Sequence, residues 1–143
     1  MKLLLILALF AVPVIAQQKT PSNKAIVFVY SNATTTTVGQ LRKPVFLNGK
    51  EIADVRPEHF FIARVDPGKH FFHLKNKKLG GVEKEFKVGE TYYIKITWRK
   101  NGFTVVPDGF LFMPTENGEF DIKQLRPIEQ GNIKDTSIVT TSL

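Results

Sequence analysis

The chain has 143 residues, no cysteine, and 20 lysines and arginines against 13 acids, for a formal charge of +7. Without thiols it has neither disulfide staples nor thiolate-held structural zinc, and its length suits one domain with its own core. In a cytosolic protein this charge would point first to nucleic acid; in an exported one it suits anionic envelope polymers, lipid head groups, or solubility alone.

Export is what the first residues predict. Lys2 is a short positive region, residues 3–12 are apolar, and Val14-Ile15-Ala16 is a small-residue cleavage site, so residues 1–16 are expected to be a signal peptide removed to leave Gln17. The apolar run is shorter than the ~20 residues of a bilayer-spanning helix, so no stable membrane insertion is expected after cleavage. With no cysteine behind it, a lipid-modified amino terminus is excluded. The expected location is periplasmic or secreted, with no nucleic acid as partner. Residues 17–24 are polar and form a flexible lead-in.

AIVFVY, residues 25–30, is a continuous apolar run that predicts a strand buried on both faces. A threonine-rich connection follows; its Asn32-Ala33-Thr34 fits a glycosylation sequon too short to carry weight. Residues 44–55 form a hairpin around Asn48-Gly49, the strongest short hairpin signal, with Pro44 at a strand start. Residues 59–75 then form the centre of the domain: two apolar arms joined by Asp66-Pro67-Gly68-Lys69, read as a hairpin on a type II turn with positive φ at Gly68. That register sets Val65 opposite His70, Ala63 opposite Phe72 and Phe61 opposite Leu74 on a core face. Phe60, Ile62, Arg64, Phe71, His73 and Lys75 lie on the other.

After a basic loop containing Gly80 and Gly81, where Gly80 is expected to accept a side chain more readily than Gly68, residues 82–88 make an edge strand with Lys84 turned inward. TYYIKITW, residues 91–98, alternates cleanly, with Tyr92, Ile94, Ile96 and Trp98 inward. A turn at 99–102 leads into 103–106, another turn opens 107–114, and Glu116-Asn117-Gly118 turns into a strand on which Phe120 and Ile122 share a face. Residues 127–143 have no firm period and form a tail, disordered or ending in a strand over 137–140. Proline or glycine interrupts every window that could hold a helix. The expected fold is all-β, a single antiparallel β-sandwich of about 7–9 short strands over residues 25–126.

Chemistry is sparse. The hairpin register puts His73 away from His59 and His70 and separates those two by ~20 Å, too far to share a zinc ion; His70 is expected to pack against Val65 and bond a backbone group. No Gly-x-Ser-x-Gly occurs, Asp54, Asp66, Asp108 and Asp121 read as turn formers, and Glu83 with Glu85 reads as a solvated edge. No catalytic residue, metal or cofactor is expected, and the protein is not expected to be an enzyme. Surface recognition remains. Phe60, Ile62, Arg64, Lys69, Phe71, Lys75, Lys77 and Lys78 form the candidate binding surface, with Arg64 lying over the Phe71 ring. Its expected partner is an anionic envelope polymer or an envelope protein.

The order of pieces resembles a bacterial family known as domain of unknown function 2846 (DUF2846). The opening AIVFVY strand, the PVFLNGKEIADV hairpin, Pro67-Gly68-Lys69-His70 and Gly89 with Tyr92-Tyr93 carry the likeness, over roughly residues 25–125. The same pattern also resembles PEGA-type, prealbumin-like sandwiches. Many family members look like lipoproteins with a cysteine after the signal peptide, where this chain has Gln17-Gln18. The resemblance implies a fold and a compartment but no activity. Together these readings lead to an exported, non-catalytic β-sandwich that binds or scaffolds in the cell envelope. An accessory subunit pairing through a sheet edge is the alternative, and a small hydrolase the remote one.

Overall fold

The structure is a computed structural model that describes residues 22–34, 41–75 and 80–143. The expected signal peptide, most of the lead-in, and Lys77 and Lys78 lie outside the described residues.

Two sheets stack face to face. β1 (Ala25–Ser31) is the interior strand that the sequence predicted: Val27 and Val29 enter the core between the sheets, while Phe28 and Tyr30 enter a second apolar cluster on the outer side. It pairs antiparallel with β4 (His59–Val65), from Ala25 opposite Val65 to Ser31 opposite His59. On its other side it runs parallel to β7 (Thr91–Asn101), so the sandwich is not wholly antiparallel. β8 (Thr104–Met113) completes that side. The two-residue strands β9 (Arg126–Pro127) and β10 (Val139–Thr140) pair with β4. The second sheet runs in the order β3 (Lys50–Val55), β2 (Lys43–Leu47), β5 (Gly68–Leu74), β6 (Val82–Phe86).

The expected central hairpin does not exist. β4 belongs to the first sheet and β5 to the second, and Asp66-Pro67 carries the chain across the sandwich. Gly68 has the expected positive φ, +123°, but the expected type II turn is replaced by a bend at Pro67 that makes a corner. The reason lies in β4 itself. Phe61, Ala63 and Val65 face the inter-sheet core while Ile62 is buried on the opposite face, so β4 needs apolar cover on both sides. β1 beside it, equally apolar on both faces, extends that doubly covered layer. β5 buries Phe72 and Leu74 inward and takes β2 and β6 as neighbours instead.

The Asn48-Gly49 hairpin is present, with φ +51° and +88° at the two turn residues, as a type I′ turn requires. Its tip is tied down: Asn48 Oδ1 accepts from the Phe71 amide at 2.9 Å, and the Asn48 amide donates to the Phe71 carbonyl at 2.9 Å. β6 is the expected edge strand. The Lys84 ammonium lies 4.6 Å from the Phe112 ring centre and 5.4 Å from that of Tyr92, which gives its charge aromatic faces to rest on.

Three further differences follow chain order. Gly80, expected to be the more tolerant glycine, has φ +59°, and a Cβ there would sit 3.1 Å from the Asp108 carbonyl oxygen. Residues 107–109 make no turn; they run within β8 with a bulge, Trp98 pairing Pro107 and Thr97 pairing Gly109. Residues Thr115–Ile122 form a helix, α1, where a turn and a strand were expected. Pro114 precedes it with its carbonyl accepting from the Gly118 amide at 2.9 Å, and Glu116 complements the positive end of the helix dipole. Gly118, which argues against a helix by propensity, is buried because the Tyr93 ring lies against it.

The last residues fold onto the domain. Ile128 and Val139 are both buried in the inter-sheet core, and the Lys134 and Asp135 amides donate to the Ile52 carbonyl. Of the two readings of the tail, the strand is realised at Val139–Thr140.

Candidate functional site

The switch of β5 to the second sheet divides the candidate binding surface. Phe60 and Ile62 lie on the outer face of the first sheet, in the apolar cluster with Phe28, Tyr30 and Tyr93. Arg64 is exposed on that face, opposite Ile26 rather than Phe71. Phe71 lies on the outer face of the second sheet, its ring stacked on His73 at 5.0 Å between centres and against Gly81. Lys69 is paired with Glu83 at 3.2 Å, and Lys75 is exposed just past the end of β5. The two sets point to opposite sides of the sandwich, so these residues form no single surface.

The histidines are used by the fold. Asn48 Nδ2 donates to His70 Nδ1 at 2.9 Å, so His70 Nε2 carries the proton and donates to the Asp66 carbonyl at 2.7 Å, bracing the corner. The expected backbone bond is therefore present. His59 Nδ1 bonds the Pro57 carbonyl at 2.7 Å. His73, buried between the Phe46 and Phe71 rings, donates from Nδ1 to the Leu74 carbonyl at 2.8 Å.

Among the described residues, a concavity lies where sequence reading placed no site. α1 crosses the outer face of the first sheet and leaves an open cleft of about 300 Å³ beside it, lined by Lys95, Met113, Glu116, Asn117, Phe120 and Asp121. That volume is at the low end for small-molecule sites. Asp121 is the polar centre. The Tyr30 hydroxyl donates to its Oδ2 at 2.7 Å, and the Lys95 ammonium stands 3.9 Å from the same oxygen. Burial, and then the Asp121 carboxylate, push the Tyr30 hydroxyl well above the usual phenol range, so it stays a proton donor. Tyr93 is raised as well, by burial and then by Glu119. Phe120, 65 % exposed, and Met113 supply apolar walls. The arrangement can hold a small group with an apolar body and a polar end.

Asp121, expected as a turn former, lies instead in α1 against Tyr30 and Lys95. The signal that could have found the helix is Pro114 just before it with Glu116 in its first turn. Among the described residues, no group of three histidines, aspartates or glutamates is placed to hold a metal ion, and no helix is long and apolar enough to cross a membrane.

Fold and cleft together define a two-sheet β-sandwich domain whose first sheet is roofed by one short helix. By sequence, the chain belongs to the protein family of unknown function DUF2846, whose model matches residues 21–110. The match takes in β1 to most of β8; α1, and with it most of the cleft wall, lies outside it. No curated protein and no solved structure matches the chain. The likeness to PEGA-type domains rests on the sequence pattern alone.

Proposed function

We propose that the protein is an exported, non-catalytic domain that binds or scaffolds a component of the cell envelope. The observation that supports this reading is how its ionisable side chains are spent. Lys24–Asp66, Lys50–Asp135, Arg56–Glu129 and Lys134–Asp54 each join segments far apart in the chain. Lys95–Asp121 and Arg99–Asp108 pair neighbouring elements. Such pairs contribute little stability individually, but they hold carboxylates singly around the molecule, and the histidines serve the fold in the same way. Basic groups with no ion pair among the described residues include Arg42, Arg64, Lys75, Lys87, Lys100, Lys123 and Arg126, all exposed to solvent. A surface of this kind attracts an anionic polymer or an acidic partner and does so less as salt rises.

Export rests on residues 1–16 of the sequence. Two measurements test the proposal. Intact mass of native material should show Gln17 as the first residue, and envelope fractions should retain the protein at low salt and release it at high salt. Native material still carrying Met1, or no retention at low salt, overturns it.

A further inference from the structure

One end of the sandwich combines features that the candidate surface and the cleft leave unused. The register gathers them. Ser31 stands opposite His59, Lys43 opposite Val55, Val45 opposite Leu74, and His59 opposite Arg126. The chain passes from Val55 to His59 through only three residues, so these strand ends lie together. From the same end, β7 and β8 overhang the sheet: β1 pairs β7 only as far as Lys95, whereas the β7–β8 ladder continues to Asn101 opposite Thr104. Ile96 is still in the core and Trp98 Nε1 donates to Ser31 Oγ at 3.1 Å, so the projecting part begins at Arg99 and reaches about 10 Å at strand rise. Every residue from Arg99 to Thr104 is exposed.

Phe103 sits at the tip of this arm, 110 % exposed, more open than any other large apolar side chain described. The tip is closed on itself, with Gly102 at φ +62° and the Thr104 hydroxyl donating to the Asn101 carbonyl at 2.9 Å. The ring is therefore presented on a braced turn. Around it the charge is one-sided. Asp54, Asp108 and Glu129 are taken by Lys134, Arg99 and Arg56. Arg42, Lys75, Lys100 and Arg126 have no ion pair among the described residues; Glu58, whose carbonyl accepts from the Arg126 amide, has none there either. Leu41, two residues before β2, is also exposed.

We propose that this end of the sandwich docks on an anionic lipid surface, with Phe103 entering among the head groups and the basic residues over the phosphates. Charge complementarity favours an anionic surface, and area favours lipid over protein. A stable protein interface needs about 800 Å² on each side, which a narrow arm carrying one aromatic does not present, whereas a head-group region admits a single apolar wedge without a matching surface. Phenylalanine is among the apolar side chains that bury at the head-group and acyl boundary, and each basic residue near an anionic leaflet adds roughly a fivefold preference. The attachment is peripheral and salt-sensitive. It narrows the envelope reading above to a lipid partner and rests on that reading for its biological setting.

The test is sedimentation of the purified protein with phosphatidylcholine vesicles, with and without phosphatidylglycerol. It can fail while the mature amino terminus is still Gln17, and the reverse, so the two proposals are separable. Wild type should sediment with the anionic vesicles at low salt and not with the neutral ones. Phe103→Ser should weaken binding roughly tenfold, and Lys100→Glu with Arg126→Glu at least as much. Val88→Ser, at an exposed apolar residue of the opposite end, beside the Gly89 amide that donates to the Lys24 carbonyl, should leave it unchanged. In a Trp98→Phe background, Phe103→Trp should shift its emission to the blue on adding anionic vesicles. No binding to anionic vesicles overturns the proposal. So does binding that needs Lys100 and Arg126 but not Phe103, which would make this end a charge patch for soluble polyanions.

Discussion

Replacing Gly118 by alanine tests how tightly α1 is seated. Built on the present backbone, the new Cβ would lie 2.2 Å from Tyr93 Cγ and 2.5 Å from both Cβ and Cδ1 of the same residue. Carbon atoms need more than 3.4 Å, so helix and ring must separate by over an ångström. The ring has little room to give. Its clashing atoms are those nearest its own backbone, and its outer face is stacked on Phe28 at 5.1 Å with an interplanar angle of 13°. Overpacking of this kind costs about 1–3 kcal/mol, and the gain from alanine in a helix offsets about 0.5–1 kcal/mol of that. The expected net loss is about 1–2 kcal/mol, read as a lower urea midpoint at unchanged slope. Gly131→Ala, with nothing within 4 Å, should be near neutral. In a Tyr93→Ala background the obstruction is gone, and Gly118→Ala should become neutral or stabilising. A single Gly118→Ala variant as stable as wild type would mean that α1 is not seated on Tyr93, and the cleft geometry would fall with it.

Gly68→Val should cost about 1–3 kcal/mol from backbone strain alone, since φ is +123° there and nothing lies within 4 Å of the new Cβ. Gly80→Val should cost at least as much, because strain adds to the contact with Asp108; urea midpoints decide, and a harmless Gly80→Val would refute the approach of Gly80 to β8. Deleting residues 127–143 removes Ile128 and Val139 from the core and should destabilise by about 3–6 kcal/mol at 1.5–3 kcal/mol per buried side chain; an unchanged midpoint would make the segment an ornament. Hydrogen bonds from Lys50, then from Ser137, hold the Asp135 carboxyl down at about 2. A carboxylate depressed in the folded state stabilises fully above its unfolded value of about 3.9, and that contribution is lost as pH falls from there through 2. Asp135→Asn should therefore flatten the pH dependence of stability between about pH 4 and 2, and equal slopes for the two proteins would refute the pairing.

Local signals proved good guides to local structure. Asn48-Gly49 specified its turn because few residue pairs accept two positive φ angles in succession. The alternation of Tyr92, Ile94, Ile96 and Trp98 placed all four on the core side of β7, and Pro67-Gly68 marked a bend. Less was legible where one residue type has two uses. Gly118 reads as a helix breaker until Tyr93, far off in sequence, is seen to require the absence of a side chain. Asp121 reads as a turn residue until Tyr30 and Lys95 are brought to it. The candidate binding surface failed for the same reason: its residues share a face only if β4 and β5 pair.

By itself the sequence determined where strands and bends fall and which side of most strands is apolar, since those depend on neighbours within a few residues. Which strands lie side by side was decided by the tertiary structure. A bend at Pro67-Gly68 is compatible with a hairpin or with a corner between sheets, and the local chain has little preference between them. The balance is tipped by β4 being apolar on both faces. Such a strand is stable only inside a layer covered on both sides, and β1, the helix and the carboxy-terminal residues that complete that layer come from distant parts of the chain.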